Sequence, residues 1–247
     1  MALKPLIVIP ARLAAMRLPN KPLAMIHGKP MIVHVWERAT QADVGPVIVA
    51  CGDQEIVDAV KAHGGEAILT DPNLPRGSDR VKVAADIYDP SGSYNLIINV
   101  QGDIPTLDPI LVQDVLEPFK NVDVDIATLA NLINDDQDLQ DPNVVKIALT
   151  LEGKGPIGRA LYFSRSPIPS GVGPHYHHIG LYAFKRDSLD RFASLPEDAL
   201  EVSEKLEQLR ALANGMRIDV KVVETVTPFG VDTPADLEKA RELLSIH

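Results

Sequence analysis

The chain has 247 residues, is 45% hydrophobic and carries a formal net charge of −10 at pH 7. This acidic balance argues against nucleic acid or an anionic membrane surface as a partner, because both are themselves negatively charged. The longest apolar runs are far shorter than the roughly 20 residues of a membrane helix, no secretory leader is visible and the single cysteine excludes an internal disulfide, so a cytoplasmic location is expected.

The first half of the chain alternates short apolar strands with helical patterns. The first strand is predicted at residues 5–9, and apolar periodicity predicts a helix within residues 29–43. The alternation continues with a strand at 46–51, a helix at 55–65, a strand at 66–69, a helix at 78–89 and a strand at 95–103. This order predicts an α/β fold in which helices cover both faces of a parallel sheet.

The second half of the chain is less regular. The predicted strands lie at 124–130, 143–151, 179–184 and 217–224, and the predicted helices at 108–120, 199–215 and 232–245. The last helix opens with Thr233, Pro234 and Asp236, which form an N-cap and capping-box signature. Two loops between residues 130 and 175 break the alternation, so any domain seam is predicted there.

Two motifs in the second half resemble ligand sites but fail on context. The segment GKGPIG, residues 153–158, has the glycine spacing of a dinucleotide loop, yet Pro156 interrupts it and no suitable helix follows. We interpret it as a turn. The segment HYHH, residues 175–178, lies in a loop rich in proline and glycine without partner cysteines, so we interpret its histidines as surface or substrate-contacting residues rather than metal ligands.

The loop after the first strand concentrates positive charge. Residues 10–23, PARLAAMRLPNKPL, contain Arg12, Arg17 and Lys21 and no acidic residue. In an open parallel sheet, ligands bind beyond the carboxyl ends of the strands, and the irregular spacing of these cations suits a chain that wraps a triphosphate. The alternative is a basic surface loop.

A series of segments along nearly the whole chain carries a resemblance to one family. In chain order they are PAR, RLPNKPL, GKPMI, GSDRV, NVQGD, ATLA, DPNVVK, ALYFSRSPIP, HHIGLYAF, LEQLR and GVDTPADLEKAR. They resemble the cytidylyltransferases that activate sugar acids, specifically the 3-deoxy-manno-octulosonate (Kdo) cytidylyltransferases, also called CMP-Kdo synthetases.

This resemblance implies a fold, a reaction and a setting. The fold is a mostly parallel, Rossmann-like nucleotidyltransferase sheet flanked by helices, with a smaller mixed α+β region for dimerisation and sugar binding. Within a single domain, residues 1–130 would form the nucleotide-binding core, 131–200 the sugar-binding and dimer-contact region, and 201–247 a return to the core. The reaction is the Mg²⁺-dependent transfer of CMP from CTP to Kdo, in a cytoplasmic homodimer that serves lipopolysaccharide biosynthesis.

The resemblance also implies roles for phosphate- and metal-binding residues. Arg12, Arg17 and Lys21 match the triphosphate-binding positions, where cations neutralise the phosphates and the leaving group. Asp103 and Asp232 match the Mg²⁺ ligands, and Asp103 is counted with the three cations as catalytic. Carboxylates together with phosphate oxygens suit Mg²⁺. The alternatives are a turn residue for Asp103 and a helix N-cap for Asp232, although Thr233 can cap instead.

The remaining substrate contacts divide between the base and the sugar. The cytosine candidates are Ser78, Arg80 and Gln101, with a helix cap as the additional interpretation of Ser78 and Asp79. The residues that match Kdo-contacting positions combine one cation with several hydrogen-bonding groups, which suits a hydroxyl-rich sugar acid. They are Arg165, His178, Tyr182, Glu207 and Gln208. Core packing is the alternative for Tyr182.

Several positions depart from the family pattern. Ala15 and Met16 replace small hydroxyl residues, Cys51 and Gly52 replace Thr-Asp after the second strand, and Ile104 replaces an acidic residue. Asp53 is the residue that can compensate at the second of these sites. The departures leave two other functions open: the same chemistry on another acidic sugar, such as a sialic acid or amino-Kdo, and an inactive nucleotide-binding relative.

Overall fold

The chain folds into two compact units. The computed structural model describes residues 2–14, 18–153, 155–225 and 227–245. The first unit comprises residues 1–112 and 228–247, and the second comprises residues 113–227. The boundaries drawn from the sequence, after residues 130 and 200, differ from those of the units, and the functions assigned to those regions stay predictions.

The described residues form strands and helices along the whole chain. The strands are β1 (Pro5–Ala11), β2 (Met25–Ile26), β3 (Lys29–Pro30), β4 (Val47–Cys51), β5 (Glu66–Leu69), β6 (Leu96–Asn99), β7 (Ile126–Leu132), β8 (Lys146–Leu151), β9 (Ile157–Ser164), β10 (Tyr176–Lys185) and β11 (Ile218–Val222). The helices are α1 (Met31–Gln41), α2 (Gln54–Ala62), α3 (Gly77–Tyr88), α4 (Pro109–Asp114), α5 (Asp136–Gln140), α6 (Arg186–Ser194), α7 (Ala199–Glu204), α8 (Leu209–Ala213) and α9 (Pro234–Leu244).

The first unit is built on a parallel sheet. Its strands lie in the order β5-β4-β1-β6, and every neighbouring pair is parallel. The four apolar residues 6–9 of β1 have no exposed surface, as expected for a strand that is covered on both faces. The strand and helix positions predicted for the first half are confirmed, and with them the α/β fold.

Helix α9 belongs to the first unit although it lies at the end of the chain. The Thr233 side chain accepts a hydrogen bond from the backbone N–H of Asp236, and the Asp236 carboxylate accepts one from the N–H of Thr233, which confirms the predicted capping box. Leu237 of α9 packs with Ile26 and Met31, and Leu18 lies against the same apolar cluster. This packing fixes the start of α9 beside the chain that follows β1.

The second unit has a mixed sheet. Its strands lie in the order β10-β7-β11-β9-β8, and a further pairing of β8 with the start of β10 closes the five strands into a ring. Only β7 and β11 run parallel among these pairs. The segment 153–158 contains residue 154, which lies outside the described residues, and its last two residues begin β9. The N–H of Glu152 donates to the carbonyl of Ile157 at 2.9 Å, so the chain reverses here as the interpretation of a turn requires.

Two predicted helices are shorter than their sequence patterns indicate. The helix predicted at 108–120 ends at Asp114 and is followed by a 3-10 turn, because Pro118 has no N–H to donate to the carbonyl of Asp114, four residues before it, and its ring crowds that carbonyl. The helix predicted at 199–215 breaks at Lys205, which has a left-handed φ of 55°.

No described helix is long and apolar enough to cross a bilayer.

The break at Lys205 has a cause in the tertiary structure. Glu201 and Arg210 form a buried ion pair, and the Arg210 guanidinium also lies over the Phe192 ring at 5.6 Å. In a straight helix these two residues would be separated by roughly 13 Å along the axis, at about 1.5 Å per residue. The reversal at Lys205 brings them together, and it places Glu207 and Gln208 in the connection between α7 and α8.

Candidate active site

The cationic loop leaves the carboxyl end of β1 and is tied to the end of β4. The N–H of Gly52 donates to the carbonyl of Ala11 at 2.9 Å, and the N–H of Leu13 donates to the Asp53 carboxylate at 2.7 Å. Asp53 therefore anchors the start of the loop beside Arg12. Arg17, Ala15 and Met16 lie outside the described residues, so the role assigned to Arg17 stays a prediction.

This anchor gives a testable result. Asp53→Ala removes the acceptor for Leu13 N–H, so the start of the cationic loop loses its fixed position. Since a hydrogen bond to a charged group contributes roughly 1.5–3 kcal/mol, we expect the KM for CTP to rise about tenfold. Steady-state kinetics with CTP varied measures this rise, and Asp58→Ala, a change at an exposed residue of α2, is the control. An unchanged KM in Asp53→Ala would show that the anchor is dispensable.

Lys21 joins the two aspartates predicted to bind metal. It lies on a 3-10 turn formed by residues 21–23, and its ammonium contacts the Asp103 carboxylate at 2.8 Å and the Asp232 carboxylate at 3.0 Å. Burial lowers the pKa of Lys21, but the charges of both carboxylates and the hydrogen bonds to them outweigh it and raise the pKa above its ordinary 10.5. The two carboxylates therefore converge on one cation.

Backbone contacts hold the two aspartates in place. The carbonyl of Asp103 accepts from the N–H of Val231 at 2.9 Å, and Val231 is fully buried in front of Asp232. Thr233 caps α9, so the Asp232 side chain is not the helix cap that the sequence had left as an alternative. Asp232 instead directs its carboxylate to Lys21.

The carboxylate pair fits a divalent cation held partly by substrate. Mg²⁺ is commonly bound by one or two carboxylates together with phosphate oxygens and water. Within the described ranges, no group of three or more histidine, cysteine, aspartate or glutamate side chains forms an all-protein metal site. Asp103 and Asp232, gathered around a single positive charge, suit a metal that arrives with a phosphorylated ligand.

Two adjoining cavities lie at the carboxyl end of the parallel sheet. The larger has a volume of about 320 Å³, within the roughly 300–1,000 Å³ of small-molecule sites, and its lining includes Arg12, Lys21, Gln101 and Asp103. The smaller, of about 140 Å³, shares Arg12 and Gln101 and adds Arg80. Ser78 is not among the lining residues; it is buried as the second residue of α3.

Arg80 is held from behind by the chain after β5. Its guanidinium donates to the Thr70 hydroxyl, to the carbonyl of Asp71 at 3.1 Å and to that of Pro72 at 3.3 Å. The pKa of Arg80 is lowered by burial and then by the charge of Arg12. The N-cap of α3 is Arg76, so the interpretation of Ser78 and Asp79 as helix caps is wrong.

The departures at Cys51 and Gly52 have visible consequences. Burial raises the pKa of the Cys51 thiol to about 12, so it is an inert core residue. A Cβ atom at position 52 would lie 3.0 Å from the Arg80 guanidinium and 3.2 Å from Arg12, so glycine here leaves space for both arginines. The structure offers no account of Ile104.

The predicted sugar residues all lie in the second unit. Arg165 follows β9, and its guanidinium donates to the carbonyls of Glu204 at 2.9 Å and Pro142 at 2.9 Å. Lys146 is fully buried beside it and donates to the Arg165 carbonyl at 3.1 Å. Neither Lys146 nor Glu204 is predicted from the sequence, because a buried lysine and a glutamate at a helix end carry no distinctive local signal.

His178 and Tyr182 form part of an aromatic cluster. His178 lies in β10 and is buried, with its ring 4.9 Å from Phe163 and 5.3 Å from Tyr182, and its Nε2 lies 3.0 Å from the Thr128 hydroxyl. The placement of His178 in a loop and the surface alternative are therefore wrong for this residue, and the substrate-contacting alternative stays a prediction. An alternation of polar and apolar residues would predict a strand at His178, but the neighbouring glycines and prolines obscure this pattern.

Tyr182 and the residues around 207 complete this set. Tyr182 is partly buried, and its pKa is raised well above 10 by burial and then by the charge of Glu207. Tyr182 also packs against Phe184, with ring centroids 6.0 Å apart. It therefore contributes to the packing of the second unit and also lies close to the predicted sugar contact Glu207. Gln208 is buried directly before α8. The ligand roles of these residues stay predictions.

Burial of His178 predicts a pH-dependent stability. Burial, with a smaller contribution from His177, lowers the pKa of His178 to about 3 from an ordinary 6.5. Between pH 6.5 and pH 3, His178 is therefore protonated in the unfolded chain but not in the folded chain. The free energy of unfolding falls as pH drops through this range, by up to about 1.4 kcal/mol per pH unit. Urea unfolding at pH 7 and pH 5 measures this loss.

The comparison for that experiment is a variant without the imidazole. His178→Asn is expected to lose less stability between pH 7 and pH 5 than the parent chain, whereas His63→Asn, at an exposed position, is expected to match the parent. Equal losses in all three proteins would contradict the assignment to His178.

The fold and this site define a class. A parallel sheet whose first loop carries cations, with an acidic pair at the same edge, is an α/β arrangement that suits a phosphorylated nucleotide at the carboxyl ends of its strands. A family model described as cytidylyltransferase matches residues 6–218. The chain belongs to this cytidylyltransferase family and, within it, to the 3-deoxy-manno-octulosonate cytidylyltransferases.

Named relatives and a solved structure support this placement. The chain is 60% identical over 242 residues to a 3-deoxy-manno-octulosonate cytidylyltransferase of Paramagnetospirillum magneticum, covering 98% of both chains. It is 59% identical over 240 residues to the protein of the same name in Rhodospirillum centenum, covering 97% of this chain and 93% of that one. A CMP:2-keto-3-deoxy-manno-octonic acid synthetase solved in complex with CTP has a TM-score of 0.89 and 40% identity, covering 98% of this chain and 99% of the other.

Proposed function

We propose that this chain transfers CMP from CTP to the anomeric hydroxyl of Kdo and releases pyrophosphate. The observation that carries the proposal is the convergence of Lys21, Asp103 and Asp232 at the edge of a cavity that Arg12 and Gln101 also line. The relatives that share nearly the full length of the chain bear the name of this activity, which supports the same choice of substrates.

The first unit would bind CTP and hold its charge. Arg12, Lys21 and Arg17 neutralise the triphosphate, and Arg12 can donate to two phosphate oxygens at once. The Kdo hydroxyl would release its proton to solvent and form a bond to the α-phosphorus as the bond to the bridging oxygen of pyrophosphate breaks. The cations would stabilise the charge that collects on that leaving group. Gln101 and Arg80 line the smaller cavity, where the base would lie.

Asp103 and Asp232 are the residues that would hold Mg²⁺. When bound, the metal supplies positive charge to the phosphate oxygens and lowers the pKa of the attacking hydroxyl. Lys21 now lies between these carboxylates at 2.8 and 3.0 Å, so binding of the nucleotide with its metal would shift the Lys21 ammonium from the carboxylates to the phosphates. One lysine would thus balance the acidic pair before binding and the triphosphate afterwards.

The second unit would bind the sugar acid. The Arg165 guanidinium donates to the neutral carbonyls of Glu204, Pro142 and Lys205, so its charge is available to the Kdo carboxylate. The lowered pKa of His178 keeps its imidazole neutral at pH 7, and the raised pKa of Tyr182 keeps its hydroxyl protonated. These neutral groups, with Glu207 and Gln208, suit the sugar hydroxyls.

Pyrophosphate release tests the proposal. The full chain is incubated with CTP and Mg²⁺ and with Kdo, amino-Kdo or a sialic acid in separate reactions. We expect release with Kdo and at least tenfold slower release with the other sugars. Faster release with a sialic acid or amino-Kdo would make the protein a cytidylyltransferase for that sugar, and no release with any of them would favour an inactive nucleotide-binding relative.

The setting of the reaction belongs to the same proposal. We propose Mg²⁺ as cofactor, a homodimer as the working form, and a cytoplasmic role in supplying activated Kdo for lipopolysaccharide. Omission of Mg²⁺ from the pyrophosphate assay tests the first, and sedimentation equilibrium of the full chain tests the second.

A further inference from the structure

Glu204 occupies a junction in the second unit. It is the last residue of α7, and the left-handed backbone of Lys205 turns the chain sharply after it. Glu207 and Gln208 follow within four residues. Contacts that hold Glu204 in position therefore also position the start of the connection that carries these two predicted sugar contacts.

The Glu204 carboxylate gathers donors from the end of β9. One oxygen accepts from the buried Ser164 hydroxyl at 2.8 Å, and the other accepts from the backbone N–H of Arg165 at 3.0 Å. The pKa of Tyr162 is raised by burial and then by the charge of Glu204 and a hydrogen bond to it. The Glu204 carboxylate thus accepts from two donors at the end of β9, Ser164 and Arg165, and these bonds fix the backbone at Arg165.

The Arg165 side chain returns to the same junction. Its Nε donates to the Glu204 carbonyl at 2.9 Å and one terminal nitrogen lies 3.5 Å from the Lys205 carbonyl, while the other donates to Pro142. Among the residues that the structure describes, no carboxylate lies within ion-pair distance of this guanidinium. The Glu204 carboxylate faces neutral donors, so it fixes Arg165 in place while leaving the guanidinium charge without a carboxylate partner.

We propose that Glu204 is a positioning residue for the acidic sugar: it clamps the end of β9 to the α7–α8 connection and so holds Arg165 in register with Glu207 and Gln208. This inference rests on the proposed function, because it takes Kdo as the ligand of Arg165. It adds to that function a residue that makes no predicted contact with either substrate.

A double-mutant cycle tests the clamp. Kinetic constants for Kdo and for CTP are measured for the parent chain, Glu204→Gln, Arg165→Ala and the double variant. Glutamine keeps the shape of the side chain but turns one acceptor into a donor facing a donor. We expect Glu204→Gln to raise the KM for Kdo about tenfold, equivalent to about 1.4 kcal/mol, with the KM for CTP changed less than twofold.

The coupling separates positioning from a general structural role. In the Arg165→Ala background, Glu204→Gln is expected to raise the KM for Kdo less than twofold further, because there is no guanidinium left to position. Ser164→Ala removes one donor of the clamp and is expected to raise the KM for Kdo in the same direction by a smaller factor. Glu152→Gln, which removes a largely exposed ion pair with Arg217, is the charge-matched control and is expected to match the parent.

The outcomes distinguish this inference from the function on which it rests. An equal effect of Glu204→Gln in both backgrounds, or an unchanged KM for Kdo in both Glu204→Gln and Ser164→Ala, would overturn the positioning role while leaving the CMP transfer intact. Failure of the parent chain to release pyrophosphate with Kdo would instead refute the proposed function and the clamp with it. If Glu204→Gln does not fold, as judged by its thermal melt, Ser164→Ala and its double variant with Arg165→Ala carry the same cycle.

Discussion

Replacement of Asp103 by asparagine is expected to lower the turnover of CTP and Kdo by about a hundredfold to a thousandfold. The change removes one of the two carboxylates that converge on Lys21 and that we propose as Mg²⁺ ligands. Loss of a single charged group that stabilises a transition state commonly reduces the rate by about 10²–10³. Pyrophosphate release at saturating substrate measures the effect.

The fold of the Asp103→Asn protein should survive. Asp103 is partly exposed, with 35% of its side chain accessible, and Lys21 keeps Asp232 as a partner. We therefore expect a loss of stability of about 1 kcal/mol or less, or a fall in Tm of about 2–4 °C. Asp58→Asn, on the exposed surface of α2, is the matched control for the loss of one charge. Full activity in Asp103→Asn would remove this residue from the proposed metal site.

Replacement of Lys21 by methionine should separate metal binding from catalysis. Without the ammonium, the triphosphate loses one of its cations, and we expect kcat/KM for CTP to fall by about a hundredfold or more. Asp103 and Asp232 lose the ammonium that they share, which favours a divalent cation between them. We therefore expect Mg²⁺ without nucleotide to raise the Tm more in this variant than in the parent, by about 3 °C if binding tightens tenfold.

Two measurements check the Lys21 prediction independently. Thermal unfolding with and without Mg²⁺ reports on the carboxylate pair, and steady-state kinetics with CTP varied reports on the phosphates. Lys29→Met, which removes a lysine paired with Glu37 in the same unit, should match the parent in both. An Mg²⁺-induced rise in Tm no larger than that of the parent would contradict the idea that Lys21 holds the metal position.

Local sequence patterns predict the main strands and helices of the first unit. Four consecutive apolar residues predict the buried β1, because a strand covered on both faces needs no polar alternation. Thr233 and Asp236 predict the start of α9, because the capping box is a contact between residues three apart. The cationic loop was also visible, since Arg12 and Lys21 stand in a segment without acidic residues directly after a strand.

In the second unit, contacts between residues far apart in the sequence determine where helices and strands form. The pattern over residues 199–215 is that of one helix, but the buried pair of Glu201 and Arg210 requires a reversal at Lys205 that no glycine or proline announces. His178 appears in a segment of loop character, yet strand pairing buries it against Phe163. In both places the energy of buried contacts outweighs weak local preferences.

The sequence by itself determined the alternating strands and helices of the first unit, the capping box of α9 and the charge of the loop after β1, because strand burial, helix caps and charge content are properties of neighbouring residues. Only the tertiary structure decided that Asp103 and Asp232, 129 positions apart in the sequence, both contact Lys21. It also decided that Glu204 holds Arg165. Such meetings depend on how whole elements pack, and packing depends on the apolar surfaces that every part of the chain must bury together.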